Sequence, residues 1–120
     1  MKRLLLAVLP LVAASTVSLA QSVSQSTFVA KYTSWNNHLL NNQTNLAQQD
    51  FEDLKPMFIS NFADGKTAIA NAPNQATKDA LLATHHTKQT IYSEIMNLAA
   101  DMVNNRPAIK AKFDDFAALY

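Results

Sequence analysis

Gly65 is the single glycine in this chain of 120 residues, and cysteine is absent. Glycine is the residue that enters left-handed backbone without steric penalty, so a chain with one of them has few places for tight β-hairpins. Alanine and leucine are abundant, and neither β-branched runs nor strand-like alternation occur. These features favour helix. The missing cysteines rule out disulfide stapling, so stability has to come from packing, a partner or a cofactor.

The amino terminus reads MKRLLLAVLPLVAASTVSLAQSV. Lys2 and Arg3 precede an apolar run from Leu4 to Ala14, and Ser18 and Ala20 stand at the small positions before a cleavage point. The run is shorter than the roughly 20 apolar residues needed to span a bilayer. No cysteine follows it, which excludes a lipoprotein anchor. Residues 1–20 are therefore expected to be a cleavable secretory signal, and 21–120 a single small domain. The expected location is the periplasm or the medium, with no stable membrane anchor after cleavage.

The whole chain carries 10 basic and 9 acidic residues. Loss of Lys2 and Arg3 moves the formal charge from +1 to about −1. A near-neutral domain without a basic cluster is not expected to bind nucleic acid. Asn42, Gln43 and Thr44 match the N-glycosylation pattern, which matters only in a source that glycosylates.

Helical periodicity organises the rest. Phe28, Tyr32, Trp35 and Leu39 fall within an arc of roughly 60°, which predicts a first helix over 26–41 capped by Ser24 or Ser26. Asn41 to Asn45 form the expected break. Phe51, Leu54, Phe58, Phe62, Gly65, Ile69 and Ala72 make a second stripe, with a kink or fresh start expected at 53–56 because of Pro56. Asp50, Glu52 and Asp53 would then sit at the positive end of that helix. Gly65 lies on the stripe, where it lets a neighbouring helix approach.

The third helix starts at Asn74 or Thr77 and ends at Asn104–Pro107. It packs Leu81, Thr84, Ile91, Tyr92, Ile95, Leu98, Ala99 and Met102, and turns Asp79, His86, Thr90, Glu94, Asn97 and Asp101 to water. A fourth helix starts near Pro107 with Ile109, Phe113, Phe116 and Tyr120 inward, and Lys110 and Asp114 pair at i,i+4. The expected fold is all-α, an antiparallel bundle of three to four amphipathic helices, with residues 21–25 unstructured.

Functional chemistry is sparse. There is no nucleophile elbow, zinc-protease motif or phosphate loop, so no enzyme activity and no catalytic residue are expected. His85 and His86 diverge by about 100° on a helix and cannot readily share an ion. No histidine has a strong ligand at i±3 or i±4; His38 and His85 remain candidates for a metal site formed between helices. Non-covalent haem held by a histidine with Met57, Met96 or Met102 belongs to the same alternative reading, a metal- or haem-binding periplasmic bundle. The preferred reading needs no cofactor. It is an exported, non-enzymatic bundle that binds a protein partner or an apolar small molecule. Trp35, Phe58, Phe62 and Tyr92 are the expected contact residues, in a cleft opened by Pro56, Gly65 and Ala68.

Overall fold

A computed structural model describes residues 22–120. The secretory signal read at 1–20 lies outside the described residues. Four helices follow in order: α1 (Gln25–Leu40), α2 (Thr44–Ala70), α3 (Gln75–Leu98, extended by a 3₁₀ turn at Ala99–Asp101) and α4 (Arg106–Ala118). No strand occurs among the described residues.

Side-chain pairings show each helix running against the next. Along α1 and α2, His38 meets Asp50, Lys31 meets Asp53, and Phe28 meets Phe58. Along α1 and α4, Asn36 meets Arg106, Tyr32 meets Asp114, and Gln25 meets the Ala117 carbonyl. Gly65 with His85 and Phe58 with Tyr92 order α2 against α3, and Glu94 with Lys112 order α3 against α4. The result is an up-down-up-down bundle closed by α4 on α1.

The core is aromatic, and it is filled. Phe28, Trp35, Phe58, Phe113 and Phe116 have no exposed surface, and Leu54, Ile95 and Ile109 seal the layers around them. The Phe113 ring lies 5.1–6.3 Å, between centroids, from Phe28, Tyr32, Trp35, Phe51 and Phe58. Burying each such ring is worth about 1.5–3 kcal/mol.

Local sequence explains the element ends. Ser24 and Asn74 accept the third-residue amides that cap α1 and α3, at 3.2 and 2.8 Å. Asn42 turns the chain between α1 and α2 at φ 59°, a conformation asparagine tolerates better than most residues. The break is therefore three residues long, shorter than Asn41 to Asn45, and Thr44 and Asn45 already belong to α2.

Three sequence expectations are corrected. First, Pro56 neither breaks α2 nor starts it. It sits on the exposed face, so the hydrogen bond it removes is lost to water, while buried Leu54 and Phe58 hold the helix on both sides. Second, Asp50, Glu52 and Asp53 do not lie at the helix start. Asp50 is buried against α1, Asp53 pairs with Lys31, and Glu52 pairs with Lys55. Third, Ser22 to Gln25 are tied down. The Ser22 amide and hydroxyl bond the Asp64 carboxylate at 3.0 and 3.1 Å, and Gln25 is already helical.

Candidate functional site: a groove between α2 and α3

The helices differ in length, and this positions the site. At 1.5 Å per residue, α2 and α3 are about 40 and 36 Å long, against about 24 and 20 Å for α1 and α4. The described residues measure 49 × 22 × 18 Å, so the α2–α3 hairpin forms their long axis. The outer seam of this hairpin runs past the level where α1 starts and α4 ends, marked by the Ser22–Asp64 and Phe62–Phe116 contacts.

A groove of 410 Å³ follows that seam, lined by Ile59, Phe62, Ala63, Lys66, His85, Gln89 and Tyr92. The helical repeat accounts for the set. Ile59, Phe62, Ala63 and Lys66 are spaced i, i+3, i+4, i+7 on α2, and His85, Gln89 and Tyr92 are spaced i, i+4, i+7 on α3. Phe62 and Tyr92 meet edge to face at 5.6 Å and form the floor. Tyr92 leans on Phe58 and Phe62 on Phe116, so the floor is rigidly backed by the core. Ile59 forms one wall and is 63% exposed, the largest exposure among the big apolar side chains of the described residues.

His85 closes one end of the groove. The residue is 8% exposed; its ring meets Phe62 edge-on at 5.6 Å and has no hydrogen-bond partner among the described residues. Gly65 makes its position possible. A methyl group at Gly65 would lie 3.0 Å from Nδ1, so the glycine admits a side chain of α3. Burial, joined by the positive charges of His86, Lys66 and Lys88, pushes the imidazole below its ordinary 6.5.

This shift has a pH consequence. Below pH 6.5 the unfolded chain takes up protons that the folded chain refuses at His85. The stability linked to His85 is therefore present above pH 6.5 and is lost as the pH falls through the lowered folded value. The melting temperature should fall between pH 7.5 and 5.5, and fall less in His85→Gln. Equal slopes in the two proteins would remove His85 from the account.

Lys88 lies one helical turn further along α3, buried to 7% exposure. Its ammonium bonds the Asn61 amide oxygen at 2.9 Å and stands 5.8 Å from the centre of the Phe116 ring. Burial lowers its pKa, and Asp64 opposes that from a distance. Lys66, by contrast, is exposed and forms no ion pair or hydrogen bond among the described residues.

A second polar cluster joins α1 to α2. Ser34, His38 and Asp50 are the residue types of a hydrolytic triad, but their connectivity differs. A triad uses one ring nitrogen for the carboxylate and the other for the hydroxyl. Here Ser34 donates to Asp50 Oδ2 at 2.8 Å, and the same oxygen takes His38 Nδ1 at 2.7 Å. The serine proton is held by the acid and the serine is not activated. The cluster works as a staple, helped by Lys31 at 3.7 Å from Asp50 Oδ1.

The structure separates the residues singled out from sequence. Trp35 and Phe58 are wholly enclosed in the core, whereas Phe62 and Tyr92 reach the groove. His38 and His85 do not meet. They contact α2 at Asp50 and Gly65, positions about 22 Å apart along the helix. Among the described residues no three histidine, aspartate or glutamate side chains gather around a point where an ion could sit. Lys66, Gln89, Ile59 and buried Lys88 escaped the sequence reading. For the first three, the i, i+3, i+4, i+7 spacing beside the main stripe was the available signal.

Comparison of the chain with protein-family models, with curated proteins and with solved structures found no match.

Proposed function

We propose that the protein is an exported, non-enzymatic binding bundle that holds a small, largely apolar molecule in the α2–α3 groove. One observation carries the reading. The core is already filled by its own rings, yet a groove with an aromatic floor stays open beside it. Its 410 Å³ falls in the lower part of the roughly 300–1,000 Å³ range of small-molecule sites. A rigid floor also suits binding, because little side-chain order has to be gained when a ligand arrives. Export is supported by the basic start, the apolar run and the small residues before Gln21.

The test is a chemical-shift titration with 2-naphthylmethanol, a neutral aromatic probe. Saturable shifts grouped at Ile59, Phe62, His85 and Tyr92 are the expected result. Absence of shifts at millimolar probe, or shifts scattered over the surface, would overturn the groove as a site. Mass spectrometry of the exported protein should give a chain starting at Gln21.

A further inference from the structure

The groove carries unused polar chemistry as well as an apolar floor. His85 is 8% exposed as a residue, borders the groove, and its ring nitrogens have no hydrogen-bond partner among the described residues. Neither ring nitrogen is sealed from solvent, so both stay open to an incoming partner. Among the described residues the Lys66 ammonium on the opposite wall has no counter-charge, and the Gln89 amide, also in the groove lining, has no hydrogen bond. The field here is positive: Lys66, His86 and Lys88 all act on His85. Asp64, the acid that acts on Lys88, is engaged by both Ser22 donors.

A second hollow on the same helix pair provides a contrast. It is lined by Gln48, Phe51, Glu52, Lys55, Met96 and Met102 among others. There Lys55 already pairs with Glu52 at 2.9 Å. Its charges are spent within the protein, whereas those of the first groove are not.

Resting on the groove as the binding site, we propose that its ligand is a small aromatic monocarboxylate. The ring lies on Phe62 and Tyr92, and the carboxylate sits between the Lys66 ammonium and the His85 imidazole. One permanent cation and one neutral ring donor match a single, planar negative charge. A phosphate would call for several donors, often backbone amides at a helix start. Lys66 and His85 instead lie well inside α2 and α3, where the amides are occupied by helical bonds. The aromatic body follows from the floor, whose two rings stand at 85° to each other and offer both a face and an edge.

The experiment compares 2-naphthoate with 2-naphthylmethanol by calorimetry at pH 7.5, on the native protein and on Lys66→Met. Lys66 is exposed and unpaired, so this variant keeps the fold. The expected result is about tenfold tighter binding of the carboxylate to the native protein, the effect of one charge-assisted contact. Lys66→Met should abolish most of that preference, read as the ratio of the two affinities in the same variant. Saturation with naphthoate should also raise the pKa of His85 followed by NMR, and the alcohol should not. Equal affinity for the two probes, or a preference that survives Lys66→Met, overturns the carboxylate while leaving the groove as an apolar site. Failure of both probes to move Phe62 and Tyr92 overturns the groove and the carboxylate together.

Discussion

Phe113→Ala is expected to remove about 3–5 kcal/mol of stability, the usual range for truncating a buried phenylalanine. The ring is fully buried and touches rings from α1 and α2. It also belongs to the shortest helix, α4, with 13 residues. A helix of that length is marginal by itself in water, so α4 exists because its stripe is packed. Domains of this size have about 5–15 kcal/mol in total, and each kcal/mol is worth roughly 4–8 °C. The midpoint should therefore drop by tens of degrees, or the domain should not fold at 37 °C. Urea unfolding followed by near-ultraviolet circular dichroism measures this. A loss below about 1 kcal/mol would mean that the ring cluster is not the core.

Asn61→Leu should also be strongly destabilising, for a different reason. Asn61 is 3% exposed and supplies the 2.9 Å hydrogen bond to the buried Lys88 ammonium. Removing it leaves a desolvated ammonium without that bond, and a lost hydrogen bond to a charged group costs about 1.5–3 kcal/mol; the bond between Asn61 and the Tyr120 hydroxyl goes with it. The Phe116 ring and the distant Asp64 soften the loss without replacing the bond. Lys88→Met combined with Asn61→Leu should recover the part of the loss that belongs to the ammonium, because an apolar pair needs no solvation, and should leave the part that belongs to the Tyr120 hydroxyl. Chemical denaturation of the two single variants and the double variant reads the coupling directly. Additive effects would show that Asn61 does not hold Lys88.

How far the sequence revealed this arrangement depended on whether the deciding partner lay nearby in the chain. Phe28, Tyr32, Trp35 and Leu39 read as one buried face because their spacing alone specifies it, and all four are buried. The same holds for Ile109, Phe113 and Phe116 on α4. Pro56 misled because local propensity marks a break, while tertiary packing of Leu54 and Phe58 carries the helix through. The pairing of His38 with Asp50 is not legible in the sequence because they meet across an interhelical turn, where spacings of three or four residues give no signal. Lys88 was unreadable, since its partner lies 27 positions away and lysine by type belongs to the surface. Phe62 and Tyr92 were named from the sequence, but the charge beside them was not. Lys66 becomes informative only when the structure shows that nothing answers it.

The groove and the core make opposite demands on a bound molecule, and intermolecular nuclear Overhauser effects separate them. With 2-naphthoate bound, the expected contacts run from the naphthalene protons to the Ile59 methyls and the Phe62 and Tyr92 rings, and Trp35 receives none. Contacts to Trp35, Phe28 or Phe113 would place the ligand inside the bundle and contradict a filled core with its binding site on the α2–α3 seam.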